Sequence, residues 1–106
     1  MTPRRTVTTG RADEDIADAV SYYLEDGAMD ATLGFVDALE NAQARICRHP
    51  SVGSSRFAAE LGIPELLALA LPTYPYVVFY TDDADAIRVH RVLHSSRDIP
   101  ARFAEG

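Results

Sequence analysis

Lysine is missing from this 106-residue chain: all ten cations are arginine, set against sixteen Asp and Glu, for a formal net charge of −6. An acidic balance excludes a general nucleic-acid binder, whose domain is usually basic overall. Arginine in place of lysine reads as genome composition rather than as function. Cysteine occurs once, at Cys47, which excludes an intramolecular disulfide and a cysteine metal cluster. That residue is expected to serve as a small buried hydrophobe on a helix. Long apolar runs are missing too. The longest, around residues 66–71, is far short of the roughly 20 residues that a membrane-crossing helix needs. The opening MTPRRTVTTG has two arginines but no apolar segment behind them, so it does not read as a secretory signal. No membrane association is expected, and a cytoplasmic location is.

What remains describes one small domain, residues 1–106. Hydrophobic residues make up 47% of the chain, too many for a disordered segment. A domain of this length is only marginally stabilised by its own burial, so a partner would add stability. The charge is unevenly placed. Residues 11–40 hold nine acids and one arginine, whereas residues 41–106 hold seven of each. Any basic surface is therefore local.

Periodicity supplies the elements. RRTVTT (4–9) reads as a short strand, with Thr8 or Thr9 placed to cap a following helix. Ala12, Ile16, Ala19 and Tyr23 share one face of a helix over about 11–26, ended by Gly27. Phe35, Leu39, Ala42 and Ile46 do the same over about 29–48, and Pro50 closes that helix. So short a link makes the two an antiparallel hairpin. Residues 49–65 read as a loop with a helical turn at 57–61. LLALAL (66–71), YVVFY (76–80) and IRVHRVLH (87–94) read as strands, joined by a turn at 72–75 and a polar loop at 81–86. The tail is expected to form one short helical turn. The order β-α-α-β-β-β predicts an α+β domain, with a helical hairpin packed on one face of a small, mostly antiparallel sheet.

Six short patterns then occur in order: A-x-x-D-I-x-x-A-x-x-Y-Y (Ala12, Asp15, Ile16, Ala19, Tyr22, Tyr23), F-x-x-A-L-E (Phe35, Ala38, Leu39, Glu40), H-P-x-x-G-S (His49, Pro50, Gly53, Ser54), E-L-G-I-P (60–64), Y-P-Y-V-V-F-Y (74–80) and R-V-L-H-x-x-R-D (Arg91, Val92, Leu93, His94, Arg97, Asp98). Together they resemble the RelE/ParE toxin superfamily over nearly the whole chain. The match is nearer to the ParE-like, or plasmid-stabilisation, branch. The resemblance implies the toxin of a type II toxin–antitoxin pair. It also implies a ParD-like antitoxin that neutralises the toxin in a hetero-oligomer, and DNA gyrase as the target. A RelE-like member would instead be a ribosome-dependent mRNA endonuclease, and a degenerate member would keep only its antitoxin interface. One fold with two activities leaves the decision to the site.

A metal-free ribonuclease needs a base, an acid and cations for the charged transition state. The local candidates are His94, Arg91 and Arg97. Strict alternation along 87–94 puts Arg88, His90, Val92 and His94 on one face and Ile87, Val89, Arg91 and Leu93 on the other. Arg91, interrupting an apolar face, is expected at the end of the core paired with an acid. Two departures weigh against the nuclease. Leu67 stands where many family members carry an arginine, and the tail ARFAEG lacks the tyrosine that RelE-like enzymes use. No catalytic residue, metal or cofactor is therefore assigned. His49, His90, His94 and Cys47 do not have metal-ligand spacing, and HPSVGSS is no phosphate loop. Two surfaces are expected to receive the antitoxin or the target. One is the seam between hairpin and sheet, at Tyr22, Tyr23, Leu33 and Val36. The other is a strand edge near Arg88, His90, Arg91, His94, Arg97 and Asp98, where the arginines would meet acids of the partner. Sequence-specific nucleic-acid binding is not expected.

Overall fold

A computed structural model describes residues 4–96 and 99–104. Strand β1 (Thr6–Thr8) leads into helix α1 (Gly10–Glu25). The Thr9 hydroxyl caps α1 by accepting from the Ala12 N–H at 3.1 Å, one of the orphan donors of the first turn. Gly27, with φ of 69°, turns the chain into helix α2 (Met29–Arg48). A 3₁₀ turn (Pro50–Val52) and a short helix α3 (Ala58–Leu61) occupy the expected loop. Strands β2 (Leu67–Ala70), β3 (Tyr76–Asp82) and β4 (Ile87–His94) follow, and helix α4 (Ile99–Ala104) closes the described chain.

The sheet order is β1-β4-β3-β2, with β1 parallel to β4 and the other pairs antiparallel. Helices α1 and α2 lay Ala12, Ala19, Phe35, Leu39, Ala42 and Ile46 against Tyr76, Val78, Tyr80, Ile87, Val89 and Val92. Alanines on α1 let that helix approach the sheet closely. The opposite sheet face is covered as well. Val77, Phe79 and Leu93 pack there with Leu66 and Ile99, and with Phe57, Leu61, Ile63 and Phe103 around them. The domain thus has three layers where the sequence predicts two. The third layer explains why YVVFY is apolar without alternation, because a strand buried on both faces has no polar side. Cys47 is free and half-buried on α2.

Three local details bear on the site. Strand β3 runs on to Asp82, so the β3–β4 loop is shorter than the predicted 81–86. Between β2 and β3, the Tyr74 N–H donates to the Pro72 carbonyl at 2.8 Å across Thr73, whose φ is 72°. This is a γ-turn about a residue type that rarely takes positive φ. In β4, Arg91 opposes Phe79 and Val89 opposes Tyr80, leaving His90 as the extra residue of a β-bulge. The bulge overturns the alternation read from the sequence. Val92 joins Ile87 and Val89 in the core beneath the helices, and the predicted grouping of Val92 with Arg88 and His90 does not hold.

Candidate functional site

β1 pairs only with residues 87–89 of β4, so beyond that point one edge of β4 needs another partner. Asp15 of α1 supplies it. One carboxylate oxygen, Oδ2, accepts from the Val92 N–H at 3.0 Å and from Arg91 Nε at 2.7 Å, while Oδ1 accepts from Arg91 Nη2 at 3.0 Å. Arg91 Nη1 donates to the Arg102 carbonyl on α4 at 2.6 Å. The paired side chains are 4% and 8% exposed, so the guanidinium is out of reach of a phosphate or a partner's acid. The expectation that Arg91 pairs with an acid at the end of the core is met. Its placement among partner-facing residues is not, because its donors are engaged inside the chain.

His94 lies on the helix side of the sheet, edge-on to the Tyr76 ring with centroids 5.1 Å apart. Its Nδ1 accepts from the Ser96 N–H at 3.1 Å, and the Ser96 hydroxyl lies 2.7 Å away. The proton of the neutral ring therefore sits on Nε2. His94 lines a cleft of about 410 Å³ between α1 and β4, together with Asp18, Tyr22, Tyr76 and Arg102. Asp18 is a cleft residue that sequence reasoning missed.

The other strand residues are held locally. Arg88 is ion-paired with Asp83, and with Asp85 at 3.1 Å. These bonds, Asp85's first, hold the guanidinium's pKa above its ordinary value, and the Arg88 hydrogen bond holds Asp85 below the usual carboxylate value. His90 is half-buried with Nε2 2.9 Å from the Thr81 hydroxyl, and burial pushes its pKa down. The predicted shared face of Arg88, His90 and His94 is thus divided: Arg88 is tied to acids of the β3–β4 loop, His90 to Thr81 of β3, and His94 faces the helices. Arg97 and Asp98 lie outside the described residues.

On the hairpin, Tyr23 and Val36 are half-buried and pack on the core. Tyr23 sits among Phe35, Tyr74 and Tyr76, and burial raises its phenol pKa. Tyr22 and Leu33 are exposed, as are Leu24 and Met29, which the sequence reading passed over. Among the described residues, no group of three or more His, Cys, Asp or Glu is placed to hold a metal. No helix among them is long and apolar enough to cross a membrane.

A family model described as the ParE toxin of the type II toxin–antitoxin system parDE matches residues 7–99. The chain belongs to the ParE toxin family. It is the toxin component of a type II toxin–antitoxin system, as the six sequence patterns led us to expect. No curated protein matches it. Among solved structures, one titled a chromosomal ParDE toxin–antitoxin system from P. aeruginosa superposes with a TM-score of 0.70 at 15% identity, covering 86% of this chain and 95% of that one. At that identity the likeness is one of fold. For this ParE-family chain, the β-α-α-β-β-β order and the mixed sheet are thereby matched by a known structure.

Proposed function

We propose that this ParE-family toxin acts by binding rather than by chemistry, that DNA gyrase is its target, and that a ParD-like antitoxin neutralises it. One observation carries the binding reading. The cations that phosphodiester cleavage would use on β4 are engaged within the chain, Arg88 by Asp83 and Asp85 and Arg91 by Asp15. His94 then faces a cleft in which Asp15 is already paired with Arg91 and the charge of Asp18 balances that of Arg102, so its lining holds no surplus of positive charge for a phosphate. Transition-state stabilisation of a phosphodiester calls for such a surplus. The hairpin, in contrast, presents large exposed apolar side chains, a feature of surfaces that dock onto another protein. Gyrase as the target rests on membership of the ParE family.

The test is induced expression with parallel readouts of DNA damage and translation, followed by a supercoiling assay with purified gyrase. Filamentation with an SOS response, and inhibition of supercoiling, are expected. Translation arrest with cleaved mRNA would overturn the reading in favour of an endonuclease, and growth without any defect would overturn toxicity itself.

A further inference from the structure

One face of helix α2 changes sign along its length. At 100° per residue, Asp30, Gly34, Asp37, Asn41, Arg45 and Arg48 all fall within about 40° of one line along the helix. Gly34 is half-buried and the other five are exposed. The acids stand before Asn41 and the arginines after it. Asp37 and Arg45 are eight residues apart, about 12 Å along the axis, too far to pair with each other. Side-chain neighbours on one helix face are three and four residues away, and for these four charges none of those neighbours is an ion of opposite sign. Arg45 and Arg48 are instead like charges at i and i+3. Among the described residues none of the four makes an ion pair within the chain. The helix dipole favours arginine in the last turn, which accounts for the sign of Arg45 and Arg48 but leaves their guanidinium donors to solvent. Asp37 lies more than two turns into the helix, past the reach of the dipole at the first turn. Asp37 and Arg45 also line a hollow of about 410 Å³ between α2 and the β2–β3 turn, which leaves room for a side chain arriving from outside.

We infer that this face of α2 pairs with the same face of a second copy of the chain, the two helices running antiparallel about a two-fold axis at Asn41. In a two-fold contact residue i meets residue j and residue j meets residue i. Centred on Asn41, the contact sets Asp37 opposite Arg45 of the second copy, and Arg45 opposite the second copy's Asp37. Arg48 comes opposite Gly34, between the second copy's Asp30 and Asp37. Charge selects this occupant. A net charge of −6 opposes self-association in general, but this face sums to zero, with two acids against two arginines. A parallel arrangement would set acid against acid, and like charges facing each other oppose association. The cleft that holds His94 has no lining residue on α2, so the pairing does not draw on it. The inference rests neither on the target nor on the antitoxin.

Sedimentation equilibrium of the purified full chain tests it. Dimers are expected below about 0.1 mM protein in about 0.05 M salt, and should dissociate as salt rises to about 1 M, where the Debye length falls to about 3 Å. Asp37→Arg sets arginine against arginine at both contacts, and Arg45→Asp sets acid against acid; each should weaken the dimer about tenfold or more. Mixed in equal amounts, the two variants regain an opposite-charge pair at both contacts and should associate within about threefold of the unaltered chain. Both positions are exposed, so circular dichroism should be unchanged in either variant. An unaltered chain that stays monomeric at about 0.1 mM overturns the proposal. So does a single variant that dimerises as well as the unaltered chain, or a mixture of the two that stays monomeric. The assay contains neither antitoxin nor gyrase, so a failed supercoiling assay and a failed dimerisation assay are separate results.

Discussion

Replacing Asp15 and Arg91 singly and together gives the sharpest check on the architecture. Asp15→Leu leaves a guanidinium buried without its counter-charge and takes the acceptor from the Val92 N–H. Arg91→Met leaves a carboxylate buried and releases the Arg102 carbonyl. Breaking a buried pair from one side costs about 3–5 kcal/mol. Against a total stability of about 5–15 kcal/mol, that is a large share. At about 4–8 °C per kcal/mol for a domain near this size, either single variant should lose roughly 12–40 °C in Tm. The double variant removes both charges and leaves only two backbone groups to re-pair, at about 1–3 kcal/mol each. Its loss, about 2–6 kcal/mol, should therefore be comparable to that of either single variant and well below the sum of their losses. Chemical denaturation of all four proteins, followed by circular dichroism, closes the cycle. Additive losses would refute the argument, as would an Asp15→Leu loss below about 1 kcal/mol. A folded double variant that still arrests growth would show that Arg91 positions α4 and the β4 edge, with no direct part in toxicity.

Four further outcomes are expected. Gly34→Ala places a Cβ on the Tyr74 hydroxyl, and overpacking of this kind costs about 1–3 kcal/mol; Tyr74→Phe in the same chain should recover part of the lost Tm. Tyr80→Phe removes a phenol that donates to the Pro50 carbonyl at 2.7 Å and accepts from the Gly53 N–H at 2.9 Å, so amide exchange at Gly53 should accelerate, with a loss of about 1–3 kcal/mol. Burial holds the pKa of His90 below its ordinary value of about 6.5, so the folded state binds fewer protons there than the unfolded state. Its contribution is complete above about pH 6.5 and is lost as pH falls toward the lowered value; His90→Gln should flatten that part of the Tm–pH curve. His94→Ala should leave growth arrest intact, and its loss in a folded variant would count against the binding reading.

Much of the fold was legible because its signals are local. The helical stripes at Ala12–Ile16–Ala19–Tyr23 and at Phe35–Leu39–Ala42–Ile46, the Thr9 cap, the Gly27 turn and the last strand at residues 87–94 all lie within one element or at its end. The third layer was harder to read, since Phe57, Ile63, Ile99 and Phe103 carry no shared period and meet only across the sheet. The candidate site was the least legible part. Asp15 falls one turn from Ala12 and from Ala19 on an apolar face, which was the available sign that it is buried. An acid near the start of a helix, however, also suits the helix dipole, and nothing nearby in the sequence distinguishes the two.

By itself, then, the sequence determined the order and type of the elements, the acidic hairpin and the resemblance to the ParE branch. These follow from side-chain period, composition and motif order, which need no knowledge of distant contacts. Only the tertiary structure decided which arginines are available. Asp15 and Arg91 lie 76 residues apart, and a single bulge at His90 changes which face the following residues occupy. Folding pairs Arg88 and Arg91 within the chain and leaves the carboxylates around Met29 and Leu33 to solvent.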